Sequence, residues 1–471
     1  MKRLGAFILT LLTACTTAAV DTTTPEPATT LAPATTNPVS PVPTIAEPAA
    51  PTSYPPAPSV PVGPLNATTA EGLDALLDDV FTEEFDSSHL SQIVEGGDAR
   101  AAWVIADLLR FYQTGPDRDE LVFAFTQLTG AEFVPGELDF VWTFNHLLAW
   151  DLPAWDGHAD VKQLIFGFLS ESWAPFFEDD EKMDWRPVTW GGVLIDERAF
   201  GSNGPCNCIP ALDNPPTTDA AGGDWYPDDR VVFGIVVNDQ ALALPRHQME
   251  VHEMVNLTLG GRELGIPYCT LCGSAQAYFT DDVPGVDRVV LRTSGLLTRS
   301  NKVTYDLTTR SVIDTFTGEA KTGPLAVQGV TLEQVSVVAS TWGDWKAAHP
   351  DTHILARDGG IGRVYDLDPL GDRDAQGPIF PVGDVDPRLP TQEPVVGVIG
   401  PDGTPIAFPT AATREALAAT GSFEFEGVTV ELTDGIRIFG PDGSELTTHQ
   451  SFWFAWSQFH PGTLLWSTET G

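Results

Sequence analysis

The sequence predicts an α+β protein, in which an N-terminal all-helical part is followed by a β-rich part with two related halves. Apolar residues recur at helical spacing as far as about residue 185. Beyond residue 186 they form short runs that are typical of strands. A tryptophan and histidine segment occurs twice in that second part, which indicates the two halves. With 42% hydrophobic residues in 471, the chain can bury a substantial core.

The charge balance excludes one class of partner. The chain has 25 Lys and Arg against 65 Asp and Glu, which gives a formal net charge of −40. Nucleic-acid binding needs a concentrated positive surface, because phosphate contacts supply most of its affinity. We therefore expect no nucleic-acid partner.

The first 14 residues predict an export signal. Lys2 and Arg3 precede an apolar run from Leu4 to Leu12 that is too short to cross a bilayer. Thr13 and Ala14 then place small residues before Cys15, as in the bacterial lipobox. Residues 1–14 are therefore predicted to be a lipoprotein signal peptide and Cys15 the lipidated N-terminus, which anchors the chain to the bacterial cell membrane.

Residues 15–65 are predicted to be a tether. They consist mostly of Thr, Pro, Ala and Val and contain neither lysine nor arginine. Proline removes backbone donors and favours extended conformations, so the segment holds the rest of the chain away from the membrane. Together with the signal, it predicts an extracytoplasmic, lipid-anchored protein.

Residues 66–185 are predicted to be helical. Apolar side chains from Leu73 to Phe81 fall on one helix face. Asp98 can cap a second helix, and Gly130 ends a third. Successive short helices with Gly and Pro turns predict an orthogonal bundle or a short solenoid.

Residues 186–471 are predicted to be rich in hairpins. The runs that predict strands are Val231–Val237, Ala241–Leu244, Arg288–Arg292, Lys302–Tyr305, Val335–Val338, Val395–Gly400, Ile406–Phe408, Val428–Leu432 and Ile436–Phe439. The segment around Trp342, Trp345 and His349 recurs at an offset of 111 residues as Trp453, Trp456 and His460. These side chains share one helix face, so we expect a packing module more than a catalytic one.

Reactive groups are concentrated between His247 and Cys272. His252 and Glu253 are followed by Cys269 and Cys272, a Cys-x-x-Cys pair that can chelate a soft metal or form a reducible disulfide. A second pair, Cys206 and Cys208, is available for bridges, and four cysteines permit three connectivities.

The same region carries a resemblance to a known family. The residues that match are Ala241–Pro245, His252–Asn256, Gly260 and Gly261, Tyr268–Ala275, Ser294–Leu297, Thr317–Ala320, Trp342–Trp345 and His349–Thr352. From about Trp190 to the C-terminus the chain is similar to the bacterial DUF 3179 family. The resemblance implies that the His-Glu and Cys-x-x-Cys elements belong together. It implies no reaction, and Cys206 and Cys208 lie outside its pattern, so a disulfide is expected for them.

The sequence leaves three hypotheses for function. In the first, Cys269, Cys272 and His252 hold copper or zinc, with Glu253 as an orienting group or proton acceptor. In the second, Cys269 attacks as a thiolate activated by His252, and Cys272 resolves the mixed disulfide. In the third, which the sequence favours, the cysteines are disulfides and the pair His252 and Glu253 caps or hydrogen-bonds a helix. The protein then displays a binding or scaffold surface at the cell surface and performs no catalysis. Both chemical hypotheses require the imidazole and the two sulfurs to converge in an open pocket.

Overall fold

The computed structural model describes residues 54–82, 84–134, 136 and 138–468, and Tyr54–Gly471 forms one compact unit. The predicted signal peptide, Cys15 and the tether up to residue 53 lie outside the described residues. Helices and sheets are both abundant, which confirms the α+β class. Within the described ranges, none of the helices combines the length and apolarity needed to cross a bilayer.

The helices lie mainly in the first part of the described chain. The α-helices are α1 Ala67–Thr82, α2 Ser87–Gly96, α3 Ala102–Leu109, α4 Pro116–Thr129, α5 Asp139–Ala149, α6 His158–Leu169, α7 Arg246–His252, α8 Gly323–Val327, α9 Trp342–Ala348, α10 Thr410–Thr420 and α11 Trp453–Phe459.

The strands occur from residue 188 onward. They are β1 Val188–Trp190, β2 Leu212–Asp213, β3 Thr217–Asp219, β4 Val231–Val237, β5 Gln240–Pro245, β6 Met254–Leu259, β7 Arg262–Cys269, β8 Ser274–Ala275, β9 Ala277–Phe279, β10 Leu291–Thr298, β11 Asn301–Asp306, β12 Val312–Asp314, β13 Gln334–Val335, β14 Val338–Thr341, β15 His353–Leu355, β16 Pro394–Ile399, β17 Pro405–Pro409, β18 Ser422–Phe425, β19 Val428–Leu432, β20 Ile436–Phe439, β21 Thr448–Phe452 and β22 Leu464–Leu465.

These strands form five sheets. Sheet A has the order β1-β10-β11-β12, and sheet B has the order β13-β9-β7-β6-β2 with β8 also paired to β7. Sheet C is β14-β4-β5-β15-β3, sheet D is β21-β16-β17-β22, and sheet E is β18-β19-β20. Most pairings are antiparallel, as hairpins require.

The N-terminal helices pack against sheet A. Helix α1 buries Leu73, Leu76 and Leu77, the face that the apolar spacing predicts. Leu296 and Val303 of sheet A belong to the same hydrophobic core as the helices. The helices and the first sheet therefore share one core across residue 185.

Two hairpins bring the reactive residues together. Strands β6 and β7 lead to Cys269, and strands β10 and β11 are joined through Arg299 and Ser300. Both of these turn residues have positive φ angles, 46° and 63°, as tight two-residue hairpins require. The predicted strand at Arg288–Arg292 is shifted, because β10 begins only at Leu291.

Sheets C and D have the same arrangement of elements. In sheet C the hairpin β4-β5 is followed by helix α7, β14 pairs antiparallel with β4, and β15 after helix α9 pairs parallel with β5. In sheet D the hairpin β16-β17 is followed by helix α10, β21 pairs antiparallel with β16, and β22 after helix α11 pairs parallel with β17.

The repeated tryptophans make matching contacts in these two sheets. A Cβ on Gly234 would lie 2.1 Å from the Trp345 ring, and one on Gly397 would lie 2.1 Å from the Trp456 ring. The Trp345 indole donates to Thr352 Oγ1 at 2.9 Å, and the Trp456 indole donates to Thr463 Oγ1 at 2.8 Å. Each indole therefore lies against bare backbone where any larger residue would clash.

Candidate functional site

The Cys-x-x-Cys turn lies between strands β7 and β8. Cys269 ends β7, Gly273 takes the left-handed conformation with φ 58°, and Ser274 begins β8. Glycine adopts this conformation without strain, so the chain reverses directly after Cys272. Cys269 and Cys272 are joined by a disulfide.

Each sulfur of this disulfide lies beside hydrogen-bond donors. Cys269 Sγ accepts from the backbone N–H of Cys272 at 3.3 Å and from that of Lys302 at 3.4 Å. Cys272 Sγ lies 3.1 Å from the Ser274 hydroxyl. Strand β11, the CxxC turn and strand β8 therefore each direct a donor to the pair.

The disulfide is covered from solvent. Cys269 and Cys272 are 2% and 1% exposed, and they belong to a cluster with aromatic residues of helix α11. Phe452 N–H donates to the Cys272 carbonyl at 2.7 Å, and the Phe452 ring lies against Gly273. The Ser300 carbonyl oxygen is 3.8 Å from Cys269 Sγ. A partner can therefore reach the sulfurs only if Phe452 or the β10-β11 turn moves.

Next to Cys269 lies a buried ion pair. Lys302 Nζ is 3.0 Å from Glu253 Oε2, and it also donates to the Glu253 carbonyl at 3.0 Å and to Thr293 Oγ1 at 2.8 Å. The hydroxyl of Thr270, inside the CxxC turn, donates to Glu253 Oε1 at 2.8 Å. Burial lowers the pKa of Lys302, and the Glu253 carboxylate offsets part of that effect.

His252 lies apart from the sulfurs and is fully hydrogen-bonded. Its Nδ1 donates to the Pro210 carbonyl at 2.7 Å, so in the neutral ring Nε2 accepts from the Tyr365 hydroxyl, also at 2.7 Å. Burial lowers the pKa of His252 to about 4, which keeps the ring neutral. Among the described residues, the ligand atoms of His252, Cys269 and Cys272 do not lie within 4.8 Å of one another. The three-ligand copper or zinc centre is not formed, and His252 is not the group that activates Cys269.

A second polar network lies beneath the same hairpins. Arg292 forms a bidentate pair with Asp213, at 2.9 and 2.6 Å, and its Nε is 3.8 Å from Asp196. Burial raises the pKa of the Asp196 carboxyl, but hydrogen bonds from Arg198 and the Ala211 N–H more than offset it, so its pKa lies below the usual value. These hydrogen bonds and ion pairs join strands β2 and β10, and none of them involves a cysteine.

The comparison with known families supplies the identity of the region that holds this site. The family model described as protein of unknown function (DUF3179) matches residues 206–438. Through this segment the chain belongs to the DUF3179 family. No curated protein and no solved structure is significantly similar to the chain.

The DUF3179 segment begins at the second cysteine pair. Cys206 and Cys208 are joined by a disulfide, and Cys206 is exposed. In the part of the chain that the structure describes, one group of three possible metal ligands lies within 4.8 Å, namely Asp196, Cys206 and Cys208. The group could bind a soft metal once reduced. As a disulfide it has no thiolate, and both Asp196 oxygens accept hydrogen bonds from Arg198.

Sequence reasoning does not single out the groups that lie closest to the sulfurs of the DUF3179 site. It places Lys302 on a strand, and Ser274 only within the matched segment Tyr268–Ala275. The chain has few lysines, and Lys302 stands in a run with valine, threonine and tyrosine, which is the one available signal of a buried cation. Its pairing with Glu253 depends on the contact between two hairpins, and spacing along the chain does not reveal that contact.

Proposed function

We propose that Cys269 and Cys272 are the redox centre of a thiol–disulfide exchange domain, in a form that differs from the sequence hypothesis. Backbone N–H donors take the place of the His252 imidazole, and the covered sulfurs become accessible when Phe452 or the β10-β11 turn moves. The observation that carries the proposal is the pair of backbone N–H donors on Cys269 Sγ. A disulfide sulfur is a weak acceptor, whereas a thiolate is a charged and strong one. The donors therefore stabilise the reduced form, which is what a centre that cycles between two states requires.

The exchange step depends on which sulfur leaves best. A thiolate of a partner dithiol attacks Cys272 Sγ, the Cys269–Cys272 bond breaks, and its electron pair remains on Cys269. The second partner thiolate then attacks the partner sulfur of the mixed disulfide and releases Cys272. The partner dithiol is oxidised to a disulfide, and the cysteine pair gains two electrons and one proton, which goes to Cys272. Cys269 remains a thiolate, and the other proton of the partner dithiol is released to solvent. Cys269 is the leaving group because its thiolate is the better stabilised one.

The second disulfide provides a comparison within the same chain. Cys206 Sγ has a carbonyl oxygen, that of Cys208, at 3.6 Å. A carbonyl oxygen repels a thiolate, and Cys269 Sγ has such a neighbour too, the Ser300 oxygen at 3.8 Å. The difference is that two backbone N–H groups donate to Cys269 Sγ, whereas among the described residues none donates to Cys206 Sγ. We assign Cys206 and Cys208 a structural role and place the chemistry at Cys269 and Cys272.

In a full-length chain with Cys206→Ser and Cys208→Ser, we expect Cys269 and Cys272 to be reduced and reoxidised reversibly while the protein stays folded. The chain is equilibrated in glutathione buffers of graded ratio, free thiols are alkylated, and modified cysteines are located by peptide mass spectrometry. Circular dichroism of the same samples monitors folding. The donors predict a potential in the glutathione range, about −180 to −260 mV.

Reduction that occurs only on unfolding would contradict the proposal. If the pair resists every glutathione ratio and is alkylated only when the circular dichroism signal is lost, the disulfide is structural and the proposal is wrong. The matching chain with Cys269→Ser and Cys272→Ser reports on Cys206 and Cys208, which we expect to give no reversible transition in this range.

We further propose that the chain is a lipid-anchored extracytoplasmic protein that presents this domain to a protein dithiol. The export signal and Cys15 support the proposal, as does the Cys206–Cys208 disulfide, to which we assign a structural role, since structural disulfides persist in oxidising compartments. We expect the full chain to fractionate with membranes and the Cys15→Ser chain to lose that association. A wild-type chain in the soluble fraction would rule out the anchor.

We also propose that the β-rich part consists of two related halves. The four strands of sheet D have the same order as four strands of sheet C, which carries β3 in addition, and the helix positions and Gly–Trp–Thr contacts also match. The halves differ in the strands that come after their first helix. The first half continues into sheets B and A with the cysteine pair, and the second into the three strands of sheet E.

A further inference from the structure

We infer that the buried pair of Lys302 and Glu253 sets the reduction potential of Cys269 and Cys272. The inference rests on the proposed function and adds two positioning residues to it. Neither residue reacts with the partner dithiol. Each changes the free energy of the Cys269 thiolate through its charge.

The first step is the position of Lys302. Its backbone N–H contacts Cys269 Sγ at 3.4 Å, so the length of a lysine side chain places its ammonium within about 10 Å of the sulfur. Lys302 is 3% exposed. A positive charge at this distance in a partly desolvated interior stabilises a thiolate by roughly tenfold in the equilibrium constant.

The second step is the position of Glu253. Its carboxylate binds the Lys302 ammonium with one oxygen and the Thr270 hydroxyl with the other. Thr270 lies between the two cysteines, so the carboxylate is tied to the CxxC turn itself. Its negative charge opposes the effect of Lys302 on the sulfur.

The third step is the backbone of Glu253. Its φ of 52° is left-handed, a conformation that glutamate rarely adopts. Left-handed residues other than glycine are retained where the surrounding structure holds them, and they cluster at functional sites. Here the conformation lets the Glu253 carbonyl accept from both Tyr268 N–H and Lys302 Nζ, which joins helix α7 to strands β7 and β11.

The pair therefore predicts two shifts of opposite sign. Lys302→Met leaves a negative charge near the thiolate and makes reduction of the disulfide less favourable. Glu253→Gln leaves a positive charge there and makes reduction more favourable. A purely structural role predicts the same sign for both variants, because either change loosens the same contacts.

The experiment measures the reduction potential of the Cys269–Cys272 pair in full-length chains that carry Cys206→Ser and Cys208→Ser. Glutathione buffers of graded ratio are used at neutral pH, so that the Cys269 thiolate, on which both charges act, is formed. For Lys302→Met we expect about a tenfold loss in the reduction equilibrium constant, which makes the reduction potential about 30 mV more negative. For Glu253→Gln we expect about a tenfold gain in the reduction equilibrium constant, which makes the reduction potential about 30 mV more positive.

Two matched variants separate charge from stability. Lys162 and Asp107 form another buried pair, 3.2 Å apart, in helices α6 and α3. Lys162→Met and Asp107→Asn are expected to destabilise the fold comparably and to leave the potential unchanged. Lys302→Arg keeps the charge, so it is expected to stay closer to the wild-type potential than Lys302→Met.

The outcomes are distinguishable. A wild-type pair that titrates reversibly, with Lys302→Met and Glu253→Gln shifted in the same direction or not at all, overturns this inference and leaves the proposed function standing. A wild-type pair that is reduced only on unfolding overturns both. If Lys302→Met does not fold, Glu253→Gln alone decides the sign, and a potential that is unchanged or more negative overturns the inference.

Discussion

The Arg292→Met protein is expected to unfold with a free energy about 3–5 kcal/mol below that of the wild type. Arg292 is fully buried, and its guanidinium neutralises Asp213 through two hydrogen bonds. Methionine fills much of the volume but leaves that carboxylate without its main cation. A buried charge that has lost its partner is costly, which makes this change larger than most substitutions. Urea unfolding monitored by tryptophan fluorescence measures the difference in unfolding free energy between the variant and the wild type.

Two further variants test the cause of that loss. Lys182→Met removes an exposed lysine 3.9 Å from Glu319, and we expect a change of less than about 1 kcal/mol. Adding Asp213→Asn to Arg292→Met removes the stranded charge, so the double variant is expected to be more stable than Arg292→Met alone. If the double variant is equally or less stable, the loss arises from packing and the electrostatic explanation fails.

The Trp345→Ala and Trp456→Ala proteins are each expected to lose about 3–5 kcal/mol of unfolding free energy. Both indoles are almost completely buried and lie against a strand glycine, Gly234 or Gly397, which cannot move in to fill the cavity. If the two halves are built alike, the losses of unfolding free energy in the two variants agree within about 1 kcal/mol. This tolerance covers the usual variation between sites. Urea unfolding of both variants under identical conditions measures the difference.

The indole hydrogen bonds give a finer comparison. Trp345→Phe and Trp456→Phe each leave a threonine hydroxyl without its donor, and each variant is expected to lose about 1 kcal/mol from this bond in addition to the smaller ring. Trp150 is only half-buried, so Trp150→Ala should lose clearly less than either core variant. Losses at Trp345 and Trp456 that differ by several kcal/mol would contradict the equivalence of the halves.

Much of the fold can be predicted because its elements carry local signals. The apolar spacing from Leu73 to Phe81 appears as helix α1, and the run Val231–Val237 appears unchanged as strand β4. Helix α2 escapes prediction, because its ten residues bury only Leu90 and Ile93 and are otherwise mostly polar. Its start depends on the Asp86 cap, a signal that is weak without an apolar face.

The candidate site is less predictable, for a physical reason. The Cys-x-x-Cys pair is contiguous, so its disulfide needs nothing beyond a turn. The partner that the sequence suggests for it, His252, is close along the chain, but its ring points to Pro210 and Tyr365. The Lys302 N–H that contacts Cys269 comes from strand β11, 33 residues later. A contact between separate hairpins is fixed by sheet packing, which periodicity does not report.

The boundaries of the matched segment have a practical consequence. Residues 206–438 omit strand β1 of sheet A and strands β21 and β22 of sheet D, together with helix α11. They also omit Phe452, which covers Gly273, and Leu148, whose carbonyl accepts from Arg299 of the β10-β11 turn. A chain trimmed to the conventional domain limits would expose unpaired sheet edges and bare sulfurs, and would invite aggregation and unselective oxidation. Expression work on relatives should therefore keep the flanking sequence on both sides.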